Sequence, residues 1–190
     1  LLGLLLRPVL VLTMSREIQR TLLVLVDSSQ SMTLADPRIA PEDIQRAAIA
    51  KGLLDLAKGL AQPLDQGKTA ELREMARTNV LREVLSNERL NLLPALSEKF
   101  EVVPFTFGLG GQVRELPRAR QIESGENESE SARKLTLADF PWVDTLGAPH
   151  AGTALGDSLR EALKGKRGQA LAGVLVLTDG AHNSGDSPRV

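Results

Sequence analysis

Asp27, Ser29 and Ser31 place three oxygen-bearing side chains at alternate positions, directly after the apolar run Thr21–Val26. A second apolar run, near the other end of the chain, stops at Thr178-Asp179-Gly180. Carboxylate and hydroxyl oxygens are hard ligands, suited to Mg²⁺ or Mn²⁺. An apolar run of this length, closed by polar residues and followed by a helical pattern, is the signature of a buried parallel strand. The loops that leave such strands lie at the carboxyl edge of the sheet, where α/β folds bind ligands. Between the two runs in sequence, Gly152-Thr153 stands at the mouth of a helical pattern. With the two strands as neighbours, Asp27, Ser29, Ser31, Thr153 and Asp179 can converge on one divalent cation.

The elements that must hold these residues follow from periodicity. Strands are expected at 21–26, 100–107, 112–116 and 173–178. The 21–26 strand is expected at the centre, flanked by 173–178 and 100–107, with 112–116 as an antiparallel edge reached through the glycine-rich turn 108–111. Pro41 suits a first helical turn, with Glu42 and Asp43 at the positive end of the helix dipole. Apolar residues from Ile44 to Ala57 continue that helix to Gly59 and Pro63. A second helical stretch is expected from Lys68, capped by Thr69, with Leu72, Met75, Ala76, Val80, Leu81, Val84 and Leu85 on one face. Ser86-Asn87 breaks it, and a short helix around 90–96 contains Pro94, a poor interior residue. Leu155, Leu159, Ala162 and Leu163 mark a last helix, closed by Gly165. The predicted fold class is thus α/β: a three-layer, doubly wound, mainly parallel sheet with one antiparallel edge strand.

The chain has 190 residues, enough for one domain with a sizeable core. Its formal net charge of −1 offers no global field for nucleic acid, and 3% aromatics supply no base-stacking surface. The lack of cysteine removes disulfides, zinc ribbons and thiol nucleophiles together. Residues 1–12 are almost wholly apolar but interrupted by Arg7-Pro8. A spanning helix needs ~20 apolar residues, so 1–13 is expected to be the tail of a transmembrane helix, joined by a linker at 14–20 to a domain at 21–190. The chain begins with Leu1 and is expected to be part of a longer one. Residues 117–134, rich in Glu, Ser, Arg and Asn, are expected to form a mobile loop.

The motif Asp27-x-Ser29-x-Ser31, the later Gly152-Thr153 and the strand end Thr178-Asp179-Gly180 resemble the von Willebrand factor A domain. The wider pattern, with Arg7-Pro8 before it and Asp36-Pro37 after it, is similar to bacterial membrane-anchored members. The resemblance covers roughly residue 21 to the end. It implies a metal-ion-dependent adhesion site in which Ser29 and Ser31 ligate Mg²⁺ (or Mn²⁺ or Ca²⁺) directly. Asp27, Thr153 and Asp179 then act directly or through water. The implied function is non-enzymatic: a protein partner supplies an acidic side chain to the metal, and the domain is held at a membrane, in bacteria the inner membrane. The family continues past Asp179 with further strands, so the 173–178 strand is expected at an open sheet edge. Thr153 stands far from Ser31 in sequence, and Thr145 is a second candidate for its place.

Each residue also has a plainer use. Aspartates after strands close turns, and Ser31 or Thr153 would serve as helix N-caps. Met32 suits the core, and His150 and His182 suit solvated loops. Among other functions, a hydrolase with Asp27 as phosphoryl acceptor would want a second Asp two residues on and a cation near Asp179. Position 29 is Ser, and no Lys lies close to Asp179 in sequence. A co-chaperone-like A domain beside an ATPase would use the same metal device. No Gly-x-Ser-x-Gly elbow or phosphate-binding glycine loop is present.

Overall fold

The computed structural model describes residues 19–119 and 134–187. Those residues form an α/β unit around a four-stranded mixed sheet. Its strands are β1 (Arg20–Asp27), β2 (Phe100–Phe107), β3 (Val113–Glu115) and β4 (Leu171–Leu177). The order across the sheet is β3-β2-β1-β4. β1 pairs in parallel with β2 and β4, and only β2 with β3 is antiparallel. The central place of β1 and the antiparallel edge agree with the pattern of apolar runs and the hairpin signal. The expected segment 1–13, residues 14–18 of the expected linker 14–20, and most of the expected loop 117–134 lie outside the described residues; Arg20, expected in the linker, begins β1. No helix among the described residues is long and apolar enough to cross a membrane.

Alternation along the strands feeds two cores. Leu23, Leu25, Val103, Phe105 and Phe107 face α5 (Leu155–Lys164), which contributes Ala162, Leu155 and Leu159. Val24, Val26 and Val102 face the other way. They meet Leu85 of α3 (Arg77–Ser86), Leu93 of α4 (Leu92–Ser97) and the buried pair Trp142 and Val143. A third cluster joins α1 (Pro41–Ala50) to α2 (Gln66–Arg73) through Ile44, Ala48, Leu72 and Met75. β4 is the sheet edge among the described residues, and its side chains are exposed or half-buried. An apolar edge of this kind is open to pairing with a further strand.

The helices depart from the expected pattern in three places. α1 stops at Ala50 rather than near Ala57. Gly52 adopts φ 72°, donates its N–H to Ile49, and is followed by Leu53 donating to Ala48. This is a Schellman stop, and glycine suits its left-handed position. The buried Asn87 amide then donates to the Ile49 and Ala50 carbonyls, satisfying helix-end acceptors from a distance. α2 begins at Gln66 under Asp65, which accepts from the Gly67 N–H, so Thr69 is not the cap. The expected single helical face from Leu72 to Leu85 is two helices. Ala76 pairs with Ala35, and the Arg77 N–H donates to the Leu34 carbonyl, which breaks the chain away from helical bonding between α2 and α3. Pro94 is accommodated because it occupies the first turn of α4, where an N–H has no helical acceptor.

Leu25 has no exposed surface, whereas Leu171 at the edge is 37% exposed. Leu25→Ala is expected to cost about 2–5 kcal/mol in urea unfolding followed by circular dichroism. Leu171→Ala is expected to cost less than about 1 kcal/mol in the same assay.

Candidate functional site

The sheet register builds the site. Val26 stands opposite Leu177 and Asp27 opposite Phe107, so the carboxyl ends of β1, β2 and β4 finish side by side. Thr178 follows Leu177 and thereby lies beside Asp27. Its hydroxyl donates to Asp27 Oδ2 at 2.6 Å, while Oδ1 accepts the Ser29 N–H at 2.9 Å. Asp27 is 3% exposed, so both oxygens of a buried carboxylate are engaged. Ser28 turns away, as alternation requires, and its hydroxyl donates to the Phe107 carbonyl.

The hydroxyls of Ser29 and Ser31 stand 2.9 Å apart. Either hydroxyl can be the donor of that bond. Asp179 Oδ1 accepts the Ala181 N–H at 2.9 Å, and Oδ2 accepts from Arg77 Nη1 at 2.5 Å. Asp27, Ser29 and Ser31 are thus linked in sequence, and Arg77, which also donates to the Ser31 carbonyl, connects them to Asp179. Both aspartates close turns, as their plainer use requires, but each keeps a second oxygen for a partner outside its turn.

Thr153 reaches this edge by a different route. The Ser28 carbonyl accepts the His150 N–H, and the His150 carbonyl accepts the Gln30 N–H, so this segment lies along the loop after β1. The Ala154 N–H donates to Gly108 after β2. Thr153 donates its N–H to Asn183 Oδ1 and accepts from the N–H groups of Asn183 and Ser184, in the loop after β4. A Cβ at Gly152 would stand 2.8 Å from Asn183 Oδ1, so this approach leaves no room for a side chain there. The Thr153 hydroxyl is buried and has no hydrogen-bond partner among the described residues. It is not the helix cap: Ala154 occupies that position. Thr145, the other candidate, spends its hydroxyl on the Trp142 carbonyl. Met32 is buried in the core, as expected.

Three contributors were not among the site residues expected from the sequence. Arg77, the first residue of α3, reaches Asp179, grips Asp36 through Nε (2.9 Å) and Nη2 (2.5 Å), and touches the Ser31 carbonyl at 3.3 Å. Asp36 and Asn183 complete the set, and both sit in loops whose partners lie far off in sequence. Burial pushes the Asp179 carboxyl up, but the Ala181 N–H, the Ser31 hydroxyl and Arg77 outweigh it and hold the group below its ordinary range. Hydrogen bonding from Arg77 likewise holds Asp36 down, and that bond raises Arg77 in turn.

The residues can be tested against a divalent cation. Neighbouring ligands of an octahedral Mg²⁺ at 2.0–2.1 Å stand about 2.8–3.0 Å apart. The Ser29 and Ser31 hydroxyl oxygens have that separation. The unpartnered Thr153 hydroxyl is an available donor atom. The carboxylates of Asp27, Asp179 and Asp36 outnumber the one guanidinium bonded among them, which favours a cation. The described residues hold no group of three or more His, Cys, Asp or Glu placed for a metal. Any ion here would rest on hydroxyls. Comparison of the chain with family models, with curated proteins and with solved structures gave no match.

Thr178→Val should leave a buried carboxylate oxygen without its donor and lower stability by about 1–3 kcal/mol in chemical unfolding. Asp27→Asn in that background should recover part of the loss, because the buried charge is gone. Asp36 sets a pH dependence. Its folded pKa lies below the unfolded value near ~4, so its stabilisation is present above that value and is lost as pH falls through the folded one. Thermal melts should therefore show wild type above Asp36→Asn at neutral pH, by less than about 1 kcal/mol because the pair is partly exposed, with the gap closing in acid.

Proposed function

We propose that this chain is a metal-dependent protein-interaction domain of the von Willebrand factor A type, in which Asp27, Ser29, Ser31, Thr153 and Asp179 hold Mg²⁺ (or Mn²⁺ or Ca²⁺). The observation that carries the reading is the paired Ser29 and Ser31 hydroxyls at ligand–ligand spacing, beside the buried Asp27 that ends β1 and the Asp179 side chain just past the neighbouring parallel strand β4. On this reading the four-stranded sheet is part of a three-layer, doubly wound fold. Neutral hydroxyl ligands quench little of a cation's charge, so the bound metal would attract an acidic side chain from a protein partner. On this reading the domain's own residues position and orient the ion. Attachment to a membrane through the apolar segment 1–13 belongs to the same proposal.

A specific observation favours one rival. A metal-dependent phosphoryl-transfer hydrolase using Asp27 needs a cation by the second acidic loop, and Arg77 stands there. Its guanidinium is already engaged by Asp36, Asp179 and the Ser31 carbonyl, and Asp27 is held by two donors. Those engagements leave neither group free for a phosphate.

Calorimetry should detect Mg²⁺ binding to the wild-type domain. Ser29→Ala should weaken it at least ~10-fold while leaving the far-ultraviolet circular dichroism unchanged. Partner capture should require Mg²⁺ and fail in EDTA and in Ser29→Ala alike. Metal-dependent turnover of a phosphate ester that is lost in Asp27→Asn would establish the hydrolase instead.

A further inference from the structure

We propose that Arg77 is the resident counter-cation of Asp179, and that it keeps this aspartate a hydrogen-bond acceptor rather than a direct metal ligand. The second half of the statement rests on the metal reading above; the first half does not.

The Asp179 side chain is 4% exposed. A carboxylate so enclosed needs compensation from fixed donors and opposite charge. Its backbone donor, the Ala181 N–H on Oδ1, is neutral. Among the described residues, the one full positive charge in contact with it is Arg77, whose Nη1 lies 2.5 Å from Oδ2. With Arg77 on Oδ2 and the Ala181 N–H on Oδ1, neither oxygen is bare. Direct ligation of a metal by Oδ2 would require Arg77 to withdraw or share it.

Arg77 is built not to withdraw. Asp36 holds the other side of its fork through Nε and Nη2, and the backbone N–H of Arg77 is fixed to Leu34. A planar guanidinium held on two sides loses little freedom when it meets a third acceptor. It also sets a positive charge close to the hydroxyls of the proposed metal position. Two effects then oppose one another. Arg77 stabilises the loop after β4 when no ion is bound, and it repels an ion that approaches. The geometry makes Arg77 a positioning residue that trades metal affinity for a preformed loop.

The test uses thermal melts and Mg²⁺ calorimetry on the whole chain. In EDTA, Arg77→Met should lower the melting temperature by roughly 5 °C or more, because a buried carboxylate loses its counter-charge. Arg77→Lys keeps the charge and should stay closer to wild type. Adding Asp179→Asn to Arg77→Met should restore most of the loss, since no charge then needs neutralising. Mg²⁺ should bind Arg77→Met about tenfold or more tightly than wild type. An Arg77→Met protein as stable as wild type in EDTA overturns the proposal. So does a loss that Asp179→Asn does not restore, which would make Arg77 a mere tether to Asp36. Mg²⁺ binding that is measurable but no tighter in Arg77→Met overturns it as well. The stability pattern as expected, with no Mg²⁺ binding by either protein, supports the counter-cation role and overturns the metal reading.

Discussion

A buried carboxylate at the end of a central strand is the constraint on which this structure turns. Asp27 cannot be left without donors in a region that excludes water. One donor comes from its own loop, the Ser29 N–H, and the other from the neighbouring strand, the Thr178 hydroxyl. The second is available only because β1 and β4 run parallel with Val26 opposite Leu177. A register slip of one residue would send every apolar side chain of β4 to the wrong face and remove Thr178 from Asp27 at the same time. Core packing and site geometry are therefore enforced by the same alignment.

From that point the polar network spreads outward. Ser29 leads to Ser31, and Arg77 joins the Ser31 carbonyl to Asp179 and Asp36. Separately, the 150–154 segment is stitched by backbone bonds to the loops after β1, β2 and β4. Three loops from one sheet edge are thereby held by donors and acceptors rather than by apolar contact. Such a network is costly if half satisfied, and here the Thr153 hydroxyl and His182 Nδ1 have no partner among the described residues. Exceptions of this kind in an otherwise satisfied cluster direct attention to a ligand.

The break between α2 and α3 has the largest consequence for the site. A continuous helix from Leu72 to Leu85 would satisfy the apolar periodicity. Instead the chain around Ala76 pairs with Ala35, so α3 starts beside the loop that follows Ser31. Arg77 then heads α3 within reach of both Asp36 and Asp179. The exchange gives up helical hydrogen bonds for bonds to another segment, and in doing so brings a cation to the acidic cluster.

Strand identity, strand order and the pairing of Asp27 with the Thr178-Asp179 turn were legible in the sequence. Buried parallel strands are continuous apolar runs with abrupt polar ends, and that signal is local. Ser29 and Ser31 were legible for the same reason, since alternation after a strand decides which side chains share a side. The stop of α1 was also written there, in Gly52, although the apolar residues beyond it suggested a longer helix. Arg77, Asp36, Asn183 and the role of the Thr178 hydroxyl were not legible. Each acts through a partner at least 30 positions away. No glycine or proline marks the α2–α3 break, because tertiary pairing with Ala35, not local propensity, makes it. The sequence by itself determined which strands form and which oxygens crowd their ends. Only the tertiary structure decided which charges meet there, because a long-range ion pair leaves no periodic trace in either of the segments it joins.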